Sequence, residues 1–312
     1  MSTVSETTHN GAVAVGAPPV PSADDGLSPA ELAAKYGLTV SGARPGLVEY
    51  TRQLWGRRHF INEFAKARTA AQYTQARLGQ LWQVMTPLLN AAVYYLIFGV
   101  LIGTKRGVDN FIAFLVTGVF IFTFTQSSIL SGVRAISGNL GLIRALHFPR
   151  ASMPIAFTLM QLQQLIMSMF VLVSIVLMTG EVPTTSWFLV IPALLLQWVF
   201  NTGMALIVAR LGSKMTDLAQ LMPFILRTWM YMSGVMYSID KLTATAPHAM
   251  RILLDINPTA VYIDLMRFAL ISSVTAAQMP PHVWASAVLW ALIAGVGGYF
   301  YFWKAEESYG RG

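Results

Sequence analysis

Six long apolar stretches, at roughly 86–103, 111–130, 151–179, 187–209, 218–239 and 283–303, decide what this chain can fold into. About 20 consecutive apolar residues in a helix cross roughly 30 Å of hydrocarbon. No water is present there to satisfy the backbone, so each stretch must pair its own amides and is read as a helix. The expected fold is therefore an all-α integral membrane protein with six transmembrane helices.

Composition agrees. Only 11% of the 312 residues are charged, and the mean hydropathy is +0.55. A soluble domain carries about 25% charged residues. The chain has no cysteine, which excludes disulfides and cysteine-ligated metals.

The charges between the stretches set an orientation. With the N-terminus in the cytoplasm, the inner segments hold Lys35, Arg44, Arg52, Arg57, Arg58, Lys66, Arg68, Arg77, Arg134, Arg144, Arg150, Arg210, Lys214, Lys304 and Arg311. The outer segments hold Lys105, Arg106, Lys241, Arg251 and Arg267, a bias of fifteen to five. An excess of Lys and Arg marks the cytoplasmic side. Six spans then leave both termini cytoplasmic in a multi-pass cell-membrane protein. The net charge of +7 is spread as a topology signal and not as a nucleic-acid footprint. The loop at 132–150 has basic residues and no acid, which fits either a topology signal or a docking surface for an acidic partner.

Residues 1–45 are rich in Ala, Ser, Pro, Gly and Thr and read as a mostly disordered cytoplasmic tail. Within it, Ser28-Pro29-Ala30-Glu31 has the pattern of a capping box and predicts a short helix to about Tyr36. Residues 46–77 read as an amphipathic helix lying in the membrane interface, followed by the approach to the first span. Tyr50, Leu54, Ile61 and Phe64 share a face, while Arg57, Arg58, Lys66 and Arg68 occupy others. Trp82 suits headgroup depth, and Pro87 suits a helix start or bend. The six-span region covers 78–304, and 305–312 form a C-terminal cytoplasmic tail.

Four motifs in order resemble the polysaccharide and teichoic-acid exporter permeases of the type 2 ABC transporter superfamily. They are Leu78-Gly79-Gln80-Leu81-Trp82 with Pro87-Leu88, then Asn139 with Leu142-Ile143 and Phe148-Pro149-Arg150. The third is Ser233-Gly234-Val235-Met236-Tyr237, where the family often has Ser-Pro-x-x-Tyr, and the fourth is Asn257-Pro258 followed by Asp264 and Arg267-Phe268. The resemblance covers about 50–307. It implies a half-transporter, in which a homodimer forms the pore and two copies of a separate ABC ATPase supply ATP hydrolysis. ATP and magnesium would bind that partner, and the chain itself is expected to be a transport subunit with no cofactor, metal or catalytic residue. Consistently, no Gly-x-x-x-x-Gly-Lys-Ser/Thr phosphate loop occurs.

The same resemblance makes 132–150 the main coupling segment to the ATPase, with Arg144, His147, Phe148, Pro149 and Arg150 as its points of contact. Lys214 and Asp217 mark a second, shorter inner loop. Arg227 falls inside the fifth stretch with no acid beside it. It either contacts the phosphate of a lipid-linked glycan, or snorkels, or bonds backbone carbonyls. Tyr94, Tyr95, Tyr231 and Tyr237 either stack on sugar rings along a substrate path or pack and face lipid. Two short segments, about 247–254 and 258–271, are too apolar for free loops and too short to span. They are expected as re-entrant or outer gate helices before the last span, with Asn257, Pro258, Asp264 and Arg267 as gate residues, or as caps on the dimer. The function expected is export of a lipid-linked polysaccharide or teichoic acid. The alternatives are a drug or antibiotic efflux permease of the same superfamily, and a polyprenyl-carrier membrane enzyme. The long basic approach to the first span argues against the first, and the lack of acids in the inner loops before Asp217 against the second.

Overall fold

The computed structural model describes residues 28, 31–32, 35–37, 45–73, 78–101, 109–146, 148–239, 254, 256–280 and 282–309. The chain divides into two units, Met1–Ala43 and Arg44–Gly312. In the first unit the capping box forms. The Ser28 amide and hydroxyl both donate to the Glu31 carboxylate at 2.7 Å, which lies in the opening turn of a short helix.

The described residues of the second unit contain helices and no strand. The amphipathic segment is two helices, α1 (Leu47–Gly56) and α2 (Arg58–Tyr73), because Gly56 ends the first and Arg57 turns out of helical geometry. The expected face is the one that packs: Tyr50 and Ile61 are buried, with Leu54 and Phe64 partly so. Arg57, Arg58, Lys66 and Arg68 are exposed. Helix α3 (Trp82–Tyr94) continues as a π-helical stretch, Tyr95–Leu101. Then come α4 (Phe111–Val133), the short α5 (Leu140–Ala145), α6 (Ser152–Met178), α7 (Val190–Lys214), α8 (Leu218–Met232), α9 (Pro258–Leu270) and α10 (Val283–Trp303).

Helix α4 is the axis of the bundle. It packs against α3, α6, α7, α8 and α9, and most of its residues are buried. Helices α7 and α10 cross so closely that a Cβ on Gly203 would lie 2.0 Å from the Ala294 carbonyl oxygen, and one on Gly298 2.3 Å from that of Gly203. Small residues that let backbones meet are a common means of joining helices in lipid, where no hydrophobic effect drives them together.

Five of the described helical stretches are long and apolar enough to cross a bilayer: Val84–Leu101, Phe111–Val133, Ser152–Met178, Thr185–Lys214 and Val283–Trp303. The chain is therefore a membrane protein. The stretch at 218–239, expected as the fifth span, differs. Its helix stops after 15 residues, where Gly234 takes φ +62°. At about 1.5 Å per residue such a helix falls short of roughly 30 Å. The expected gate helix at 247–254 lies almost wholly outside the described residues, whereas its successor forms as α9.

Candidate functional site

Three groups of the expected site residues can be placed. The first lies at the basic end of the bundle, where α1, α2, α5 and the start of α6 gather. Phe148 packs its ring 5.3 Å from that of Phe60 on α2, and Pro149 is buried. Arg150 is tied to the C-terminal tail. Its amide donates to Glu306 at 2.9 Å, and its guanidinium donates to the Glu306 carbonyl. The other carboxylate oxygen of Glu306 accepts from the Tyr50 hydroxyl at 2.7 Å, and that hydroxyl accepts from the Ala151 amide at 3.1 Å. Burial pushes the Glu306 carboxyl above its ordinary range, outweighing the bonds from Arg150 and Tyr50 and the Arg150 charge. Burial, and then the carboxylate beside it, push the Tyr50 hydroxyl well up. Tyr309 locks the tail from behind, stacked 4.5 Å from Phe302. Arg144 is exposed in the last turn of α5, and Lys214 and Asp217 are exposed at the α7–α8 turn. His147 lies outside the described residues.

Among the basic residues of α1 and α2, Arg58 sits 5.7 Å over the Trp55 ring and Lys66 pairs with Glu63 at 2.9 Å. Arg68 donates to the Asn139 side chain at 2.7 Å. Trp82 is partly exposed at the start of α3.

The second group lines α3 and α8. The Tyr94 hydroxyl reaches the Met230 sulfur at 3.8 Å and lies within electrostatic range of Arg227 and Tyr231. The Tyr237 hydroxyl donates to the Tyr231 carbonyl at 2.7 Å. Tyr94, Arg227 and Tyr231 are therefore neighbours, and Tyr237 joins them through the Tyr231 backbone. Arg227 itself is exposed, on the same helix as exposed Phe224 and Tyr231. Tyr95 is set apart, with its ring 6.4 Å from Phe111.

The third group joins α8 to α9. Asn257 caps α9 through the Thr259 amide, and Pro258 takes the first helical position. The Asn257 side chain also accepts from the Trp229 indole at 2.8 Å and donates to the Met232 carbonyl at 3.0 Å. Arg267 is 1% exposed. Its guanidinium donates to the carbonyls of Phe114, Gly234 and Val235 at 3.2, 3.0 and 2.9 Å. Asp264, one helical turn away, is the more distant contact at 3.5 Å. Gly118 makes the room, since a Cβ there would lie 2.7 Å from the guanidinium.

Sequence reasoning missed Tyr50 and Glu306 as a linked pair, because they are 256 residues apart. It also missed Glu181, whose carboxylate accepts from Asn110 at 2.9 Å and from the Ser272 amide and hydroxyl at 2.8 and 2.7 Å. Burial would raise that carboxyl, but the bonds from Ser272 and Asn110 outweigh it and hold it below the ordinary range. The only signal for Glu181 was its being one of two acids between Glu63 and Asp217.

A bundle of apolar helices with a basic end and a long amphipathic approach is a membrane-embedded unit. The ABC-2 type transporter family matches residues 64–271, and the chain belongs to that family. An O-antigen export system permease protein, RfbA, of Klebsiella pneumoniae is 27% identical over 61% of this chain and 71% of its own. Its namesake in Myxococcus xanthus is 24% identical over 68% of this chain and 80% of its own. The polysialic acid transport protein KpsM of Escherichia coli is 25% identical over 55% of this chain and 67% of its own. The chain is thus an ABC-2 permease related to O-antigen and polysialic acid export permeases.

Proposed function

We propose that this chain is the membrane subunit of an ATP-driven exporter that moves a lipid-linked polysaccharide or teichoic acid from the cytoplasmic to the outer face of the membrane. The family match, with relatives named for polysaccharide export, is the observation that carries this reading. On it, the basic end faces the cytoplasm with both termini, and α1 and α2 lie in the inner interface. Helix α8 and the residues after it complete a sixth crossing, and α9 belongs to an outer gate.

Two copies enclose the path. Helix α3 with its π-helical continuation, and helix α8, leave Leu89, Val93, Leu96, Leu221 and Phe224 exposed, and a second copy would cover them. Arg227, Tyr94, Tyr231 and Tyr237 then line the passage, the guanidinium suited to phosphate oxygens and the rings to sugars. Two ATPase subunits, holding ATP and magnesium, push on α5 and the Phe148-Pro149-Arg150 segment. That segment bears directly on α1, α2 and the C-terminal tail, so a push there reaches the amphipathic helices without crossing a flexible loop.

The test is purification of the chain from native membranes, followed by an ATPase assay of what accompanies it. A nucleotide-binding subunit should co-purify, and its hydrolysis should be lost in a Pro149→Gly/Arg150→Ala variant. A chain that purifies alone, with no ATPase activity, would overturn the reading.

A further inference from the structure

A cleft of about 600 Å³ opens at the basic end between α2, the last turns of α4 and the first turns of α6. Arg68, Gln72, Arg134, Asn139 and Gln161 give it a polar side, and Leu130, Phe157 and Met160 an apolar one. Its described lining contains two arginines and no acid.

Arg68 is aimed. Its guanidinium donates to the Asn139 side-chain oxygen at 2.7 Å and lies 5.2 Å over the Phe64 ring. Asn139 is itself fixed, because it is buried and its amide nitrogen donates to the Ala135 carbonyl at 3.0 Å. That bond leaves the amide oxygen as the acceptor that faces Arg68. A neutral amide thus orients the guanidinium without neutralising it, and most of its five donors remain for a ligand. A carboxylate in the same place would have cancelled the charge. Arg134 adds a second exposed guanidinium to the same lining.

Ser127 and Gln161 also line a separate cavity of about 50 Å³ between α4 and α6, to which Thr123, Gln164 and Ser168 add polar groups and Phe120, Phe124, Leu165 and Pro87 apolar ones. Charges that served only to set orientation would need no aimed guanidinium.

We infer that this cleft is a binding site for a lipid-borne phosphate, with Arg68 and Arg134 gripping the phosphate oxygens and Asn139 positioning Arg68. Forked guanidiniums match phosphate oxygens in pairs, and the apolar wall suits the first carbons of the attached lipid. Two lipids carry that chemistry: the polyprenyl diphosphate of an export substrate, and a phospholipid headgroup. Naming the first as the occupant rests on the export reading above, whereas the site itself does not.

The experiment uses the full chain in phosphatidylcholine nanodiscs, with any ATPase subunit that accompanies it. A fluorescent polyprenyl diphosphate is titrated in one arm and fluorescent phosphatidylglycerol in another. Arg68→Gln and Arg134→Gln should each weaken binding about tenfold, the order of one charged hydrogen-bonded contact. Arg52→Gln, the same charge change on α1 outside the cleft, should leave it unaltered. Asn139→Ala should weaken binding with both charges in place. Loss confined to the polyprenyl arm assigns the site to cargo, and loss confined to the phosphatidylglycerol arm assigns it to the bilayer. Unchanged binding of both lipids in both arginine variants overturns the inference. Arg134 is exposed, so its variant keeps the test decisive even where a change at buried Asn139 prevents folding. Arginine-dependent binding by a chain that brings no ATPase would sink the export reading and leave the phosphate site standing.

Discussion

Arg267→Met should destabilise the protein far more than Asp264→Asn, although the two residues form an ion pair. Methionine keeps most of the volume and removes the donors. The Phe114 carbonyl lies inside α4, where the helix supplies its own donor four residues on. The Gly234 and Val235 carbonyls lie where α8 has ended, and Arg267 is their donor. Two orphaned buried carbonyls cost about 1–3 kcal/mol each. Release of a buried charge offsets part of that, leaving a loss of about 3 kcal/mol. Asp264 lies 3.5 Å away and is 21% exposed, so its neutralisation should cost less than about 1 kcal/mol. Thermal melting of the purified chain in mild detergent measures both. The midpoint should fall by roughly 5–10 °C for Arg267→Met and scarcely for Asp264→Asn. Equal losses in the two variants would show that the acid, and not the broken backbone, holds Arg267. A neutral Arg267→Met would refute the argument altogether.

Gly203→Ala should abolish a monodisperse folded peak in detergent, because its Cβ would meet the Ala294 backbone at 2.0 Å, whereas Gly297→Ala, with nothing within 4 Å, should behave as wild type. Tyr50→Phe should lower stability by about 2 kcal/mol, read by melting, since it strips a partner from both the Ala151 amide and the Glu306 carboxylate. The two buried acids should give pH dependences of opposite sign. Glu306 holds its proton more tightly folded than unfolded, so its contribution is greatest at acid pH, declines as pH rises from the ordinary glutamate range to its raised folded value, and is level above that. Glu181 is depressed, so its contribution is present above the ordinary range and is lost as pH falls toward its lowered value. Melting against pH should lose the first slope in Glu306→Gln and the second in Glu181→Gln.

Hydropathy made most of the helices legible, because in a bilayer length and apolarity alone decide that a segment is helical. The amphipathic face at Tyr50, Leu54, Ile61 and Phe64 was legible for a similar reason: a 3.6-residue period is a local property. The stretch at 218–239 was legible as apolar but not as a broken helix, because hydropathy is blind to backbone direction. Ser233 to Met236 are as buried as a helix would be, yet the chain turns at Gly234, and what makes the turn tolerable is a guanidinium from α9. Arg267 was counted among outer-loop charges because nothing local says that three carbonyls converge on it. The tyrosines of α3 and α8 were found as types, but their meeting with Arg227 depends on how two helices pack on α4.

The same distinction explains the basic end. Each of its parts reads locally as something ordinary: an amphipathic helix, a Phe-Pro-Arg turn, a short charged tail. Their joint action lies in bonds across the chain, for Glu306 touches both Arg150 and Tyr50, and Tyr50 touches the first residue before α6. Rotating α6 relative to α1 must therefore break the Tyr50 bonds or carry the tail along. Burial of Glu306 makes breaking costly, since loss of Tyr50 would leave a buried carboxylate oxygen and the Ala151 amide without that partner. Carrying the tail along moves α10, which is fused to it, and α7, which is locked to α10 at Gly203. On the export reading, a push at Phe148-Pro149-Arg150 would be passed to α6, α7 and α10 together with α4, which packs on α6 and α7, whereas α3 and α8 pack chiefly on α4.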